Sequence, residues 1–188
     1  MKLKKKRWFP VTLALWPYLY DVLLWPVAGD DVNEILVYTF FILSIIITIV
    51  VYVLNMIYAC TCREEDSYYH LAFWNMLIKL IHIPVYLTIL LIDFILALCV
   101  VVPVFIFMSP FLILYFFFVA LFLMIASSAY GVNALIRAGM KRVVSKKYVV
   151  INIILHFFFV ADVISAIVLY IKVRKEKRKR EQKELEAV

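Results

Sequence analysis

An all-α, polytopic transmembrane helix bundle is the fold class this sequence predicts, and three observations predict it. Residues Ile83 to Tyr130 run 48 positions with one charged side chain, Asp93. Two further apolar runs, 35–58 and 148–171, hold 24 residues each, enough for a hydrocarbon core of ~30 Å at ~1.5 Å per residue. The composition, 66% hydrophobic with only three glycines and a mean hydropathy of +0.99, lies outside the range of soluble domains. No polar stretch exceeds about twenty residues, so there is no room for a soluble catalytic domain of ~50 residues or more.

The chain opens with Lys4-Lys5-Lys6-Arg7. A signal peptide would follow such a run with a clean apolar stretch, but Pro10, Trp16, Pro17, Asp21 and Pro26 interrupt it, so a retained segment is expected. Residues 8–28 are long enough to cross, and their tryptophans suit a headgroup boundary. A fifth crossing is expected there, with an interfacial or re-entrant segment as the competing reading. Residues 35–58 make the first clear crossing. A polar connection with Arg63-Glu64-Glu65-Asp66 follows, and then an amphipathic lead-in over 71–82.

As a single helix, the 48-residue run would be about 72 Å long, more than twice the hydrocarbon core, so it must fold back. Ser109-Pro110 is the expected turn between an outgoing leg, 83–107, and a return leg, 111–136. Pro84 either starts the outgoing helix or kinks one long helix, and Pro103 reads as a late kink. Residues 148–171 are expected as the last crossing. The bundle thus spans 1–171, with four crossings beside the N-terminal fifth, and 172–188 form a basic tail of good helix formers.

The net charge of +7 gathers beside apolar segments, at Lys2 to Arg7, Arg137 to Lys147 and Lys172 to Lys183. That placement argues for phospholipid headgroups and against nucleic acid. The positive-inside rule does not choose between topologies. Five crossings place 12 of the 20 Lys and Arg on the cytoplasmic side, and four crossings place 13. The eight basic residues of the tail could hold anionic lipid or an acidic partner, or serve as a plain membrane anchor and solvated helix end.

Asn75, Lys79, His82, Tyr86 and Asp93 are spaced 4, 3, 4 and 7 residues apart, which puts them on one helical face. Their functional reading is a proton or cation path; the structural one is interhelical hydrogen bonding at roughly 0.6 to 2 kcal/mol each. Asn152, His156, Asp162 and Ser165 are the candidate partners on the last crossing, and similar depth singles out His156 as the expected partner of Asp93. Cys60-Thr61-Cys62 with His70 lacks zinc spacing and a fourth ligand, so no metal is expected. Ser127 or Ser128 with His156 and Asp162 lacks a nucleophile turn, so no catalytic residue or cofactor is assigned. Ala126-Ser127-Ser128-Ala129 and Gly131 read as small residues for close helix approach.

At Leu71 to Tyr86 (LAFWNMLIKLIHIPVY), Ser127 to Gly131 (SSAYG) and Lys147 to Val173 the chain resembles an uncharacterised family of small polytopic membrane proteins from Gram-positive bacteria. The resemblance covers 48 of 188 residues. It rests on Lys-x-x-His-x-Pro at Lys79, His82 and Pro84 and on Asp-Val-Ile-Ser at Asp162 to Ser165. It implies a multi-pass protein of a bacterial plasma membrane and no assigned activity. The expected function is non-enzymatic, through contacts with lipid, another membrane protein or a second copy of the chain. A small transporter or channel using Lys79, His82, Asp93 and His156 is the alternative.

Overall fold

The computed structural model describes residues 8–24, 34–61, 67–156 and 159–186. Six helices make up this part of the chain: α1 (Trp8–Leu24), α2 (Glu34–Thr61), α3 (Ser67–Cys99), α4 (Met108–Met140), α5 (Lys146–Leu155) and α6 (Phe159–Glu186). Among the described residues, three helical segments are long and apolar enough to cross a membrane, Ile35–Thr61, Tyr68–Cys99 and Met108–Met140.

This corrects the expected four crossings with a fifth. Over its described length α1 has 17 residues, about 25 Å and short of a ~30 Å core; positions 25–28 of the expected 8–28 segment lie outside the described residues. The 148–171 segment is broken in two. Asn152 of α5 accepts a hydrogen bond from Ser165 of α6 at 2.7 Å, although 13 residues of straight helix would hold them about 20 Å apart. Lys172 lies over the Tyr148 ring at 3.8 Å, where a straight helix would separate them by about 36 Å. The chain therefore reverses after α5, and α5 and α6 form an antiparallel hairpin that enters and leaves on the same side.

Helix α3 absorbs the 71–82 lead-in and runs through Pro84 as one helix. The outgoing leg ends at Cys99, so Pro103 lies in the connection over 100–107 and is no kink, and Pro110 sits in the first turn of α4. That position tolerates proline because the missing N–H has no intrahelical acceptor there.

Residues near the end of α4 explain the sharp entry into α5. Arg142 has φ 55, and the amides of Arg142 and Val143 donate to Gly139 and Ala138 at 3.1 and 2.9 Å. That is a Schellman ending with arginine at the left-handed position where glycine is usual. Ser145 then caps α5 by accepting from the Tyr148 amide at 3.3 Å. A Cβ on Gly139 would stand 2.9 Å from Val149 Cγ2, so the missing side chain lets α5 lie close against α4.

Cross-contacts fix the relative directions of the helices. Tyr52 meets Phe122 edge to face, Tyr130 donates to Asn55 at 2.9 Å, and Arg137 donates to the Cys60 carbonyl at 2.9 Å, so α2 and α4 run parallel. Phe9 stacks on Tyr58 and Trp16 donates to Thr48 at 2.9 Å, so α1 runs antiparallel to α2. As a result, the start of α1, the ends of α2 and α4, the start of α3 and both ends of the α5–α6 hairpin share one end of the bundle. Arg137, Lys141, Arg142, Lys146 and Lys147 lie there with the basic stretch of α6.

The buried face of α3 is a stripe of Tyr68, Leu71, Ala72, Asn75, Ile78, Lys79, His82 and Tyr86. It packs on the small face of α4, Ala126, Ser127, Tyr130, Gly131, Ala134 and Ala138. Beyond Tyr86, no residue of α3 is buried. The core is thus concentrated at the basic end, and the far half of the α3–α4 hairpin turns apolar side chains outward.

Candidate functional site

The last polar residues of that stripe and the α5–α6 turn meet in one buried cluster. Lys79 Nζ pairs with Asp162 Oδ2 and donates to Ser128 Oγ of α4 at 3.1 Å. His156 Nδ1 approaches Asp162 Oδ1 to 2.5 Å, off the hydrogen-bonding direction. Lys79 and Asp162 side chains are 2% and 5% exposed, so the pair is shielded from water and from salt. Counted along α3 and α4, Lys79 and Ser128 both lie about 6–7 Å from mid-length toward the basic end. A charged pair at that depth is tolerated because each ion neutralises the other.

Gly131 makes the convergence possible. A Cβ there would stand 2.5 Å from His156 Nε2 and 2.8 Å from both amide atoms of Asn75. Any side chain would drive α3, α4 and the α5–α6 turn apart. Asn152 bridges the turn, accepting from Ser165 and donating to the Tyr148 carbonyl at 2.8 Å. Ser128, Asn133 and His156 also form the polar part of the wall of a cavity of about 270 Å³ between α2 and α4, otherwise lined by Met56, Met124, Ala129 and Val132 among others.

His82 has a different partner, which follows from a proline. Pro17 carries no N–H, so the Leu13 carbonyl one turn earlier has no intrahelical donor. His82 Nε2 fills that vacancy at 3.1 Å, and because a carbonyl only accepts, Nε2 carries the proton. Tyr18 returns the contact by donating to the Ile81 carbonyl at 2.5 Å. Together the two bonds clasp α1 to α3 beside Pro84. Tyr86 lies one turn on, against Ser127.

Of the nine residues singled out in the sequence, Asn75, Lys79, Asn152, His156, Asp162 and Ser165 come together, with His82 and Tyr86 next along α3. Asp93 does not join them. It is 18 residues beyond Asn75, about 27 Å along the helix, and its Oδ1 has no hydrogen-bond partner among the described residues. The expected Asp93 to His156 contact is therefore replaced by Asp162 to His156, because the chain turns back at His156 and never carries it past Asp93. Sequence reasoning missed the buried Asn55 to Tyr130 bond; an asparagine within an uncharged 24-residue span was its signal. Cys62 lies outside the described residues. Cys60 is exposed and accepts from Asn133 at 3.4 Å, and no group of three or more metal-ligating side chains occurs among the described residues.

These features define a helical, multi-pass membrane protein whose polar core sits in the basic half of a three-helix apolar frame. The chain belongs to DUF6652, a family of unknown function, which matches residues 9–175. No curated protein matches the chain, and no solved structure matches it.

Proposed function

We propose that this protein is a non-catalytic component of a bacterial plasma membrane that works through contacts with lipid or with another membrane protein. The observation that carries the reading is how little of the three apolar segments the chain covers itself, at most 28% of the most apolar window of any one. The Lys79 ammonium points the same way, since Asp162 and Ser128 already occupy it. The placement of the loop and tail cations at one end supports a cytoplasmic position for that end. A proton or cation path along Lys79, His82, Asp93 and His156 gains no support, because about 21 Å of helix separates Lys79 from Asp93.

Extraction of the full chain from native membrane in polymer-bounded discs tests the proposal. Retention of a lipid species enriched over bulk, or of a stoichiometric protein, is the expected result. Discs holding only bulk-composition lipid and no partner would overturn it.

A further inference from the structure

Where α6 leaves the apolar part of the bundle, it carries Arg174, Lys175, Arg178 and Lys179. At about 100° per residue, these four cations fall within an arc of roughly 140°. They line a groove of about 540 Å³ together with Tyr170, Ile171 and Gln182. Among the described residues, no acidic side chain lines it. The glutamate nearest in sequence on the following turn, Glu181, faces Lys177 at 3.9 Å instead. Arg174 with Arg178, and Lys175 with Lys179, are like-charged pairs four residues apart, an arrangement that opposes the helix unless an anion sits between them.

The base of the groove fixes what kind of anion fits. Ile171 is 58% exposed and belongs to the apolar part of α6, so the groove begins in hydrocarbon and ends in water. Tyr170 is held by Tyr69 of α3, hydroxyl to hydroxyl at 3.3 Å, and Lys177 lies over the Tyr69 ring at 4.9 Å. Lys172 over Tyr148 anchors the same end. These contacts hold this stretch of α6 against the bundle at the membrane boundary, so the groove is not displaced into bulk water.

We propose that this face of α6 is a binding site for an anionic phospholipid, with its phosphate among Arg174, Lys175, Arg178 and Lys179 and an acyl chain along Ile171. A soluble phosphate would satisfy the cations but leave Ile171 uncovered. The inference deepens the lipid-contact reading above and rests on it.

Bound-lipid counts by native mass spectrometry test it, using the full chain in detergent doped with phosphatidylglycerol or phosphatidylcholine, with inorganic phosphate as competitor. A basic residue near the surface contributes about fivefold in affinity, so Arg174→Gln, Lys175→Gln, Arg178→Gln and Lys179→Gln together are expected to cost two to three orders of magnitude for phosphatidylglycerol. Glutamine keeps the helix. The control removes four charges at the same end, Lys141→Gln, Arg142→Gln, Lys146→Gln and Lys147→Gln, and is expected to lose under tenfold. Equal losses in the two variants would overturn the site in favour of a diffuse surface charge and leave the lipid reading standing. No preference for phosphatidylglycerol in the unsubstituted chain would overturn the site, and with no other enriched lipid or partner retained, the lipid reading as well. Displacement by inorganic phosphate at comparable concentration would assign the groove to a soluble anion and overturn the lipid site.

Discussion

Asp162→Leu is the perturbation that tests the cluster most directly. It removes the counter-ion of Lys79 and leaves the ammonium with only the Ser128 hydroxyl, 3.1 Å away. Exposed ion pairs contribute about 0 to 1 kcal/mol, but a pair with side chains 2% and 5% exposed belongs to the buried class, where losing one partner costs about 3 to 5 kcal/mol. Lys79→Met is expected to cost less, because Asp162 keeps His156 beside it at 2.5 Å. The double variant, with both charges gone and the volume filled, is expected to fall within about 1 kcal/mol of the more stable single variant. The assay is reversible unfolding of the full chain in mixed detergent micelles, followed by helicity and by fluorescence of tryptophans that include Trp16 and Trp74. A coupling of about 2 kcal/mol or more is the expected outcome. A coupling below ~0.5 kcal/mol, within the range of ordinary polar contacts between membrane helices, would refute the assignment of Lys79 and Asp162 as a buried ion pair.

Four further outcomes follow from the geometry. Gly131→Ala should destabilise by about 1 to 3 kcal/mol in the same unfolding assay, as an overpacked site does; a neutral effect would show that Asn75 and His156 do not meet at that backbone. Single cysteines at Lys141 and Lys175, in a chain with its three native cysteines replaced, should react with an impermeant thiol reagent from the same face of sealed vesicles, and labelling from opposite faces would restore a crossing at 148–171. Pro17→Ala supplies an N–H for the Leu13 carbonyl, so its effect and that of His82→Phe should be non-additive by about 0.5 kcal/mol or more; simple additivity would break the link between them. Asp93→Asn should change stability by less than about 1 kcal/mol, since no donor faces the unpartnered Oδ1, and a loss of the size expected for Asp162→Leu would reveal a partner.

The three long helices were legible in the sequence because length and the absence of charge decide them without reference to anything else in the chain. The α3 stripe was legible too, since Asn75, Lys79, His82 and Tyr86 keep a 4, 3, 4 rhythm that only a helix explains. The hairpin was not, because 24 apolar residues satisfy the length criterion whether they cross or turn. Its signal lay in the polar positions. In a straight helix Asn152 and His156 would share one face, while Asp162 and Ser165 would fall about 80° to 180° away from them. A break between the pairs is what lets all four reach one cluster. Depth along two straight helices paired Asp93 with His156, and that comparison lost its meaning once the second helix stopped at Leu155. Pro17 was read as an interruption when its chemical consequence was a free carbonyl for His82.

With the basic end cytoplasmic, as proposed above, and α5 and α6 returning to the side they left, the basic loop and tail are never asked to pass through the bilayer. The connection joining α3 to α4 on the opposite side, residues 100–107, reads Val-Val-Val-Pro-Val-Phe-Ile-Phe, with no charge among them. Delivering that turn across the membrane meets none of the desolvation barrier that Lys or Arg would raise. Insertion can then be decided within one nascent hairpin, and the buried Lys79 supplies a docking point that exists only after α3 is in place. Asp162 enters last, as the counter-charge that completes an already inserted frame.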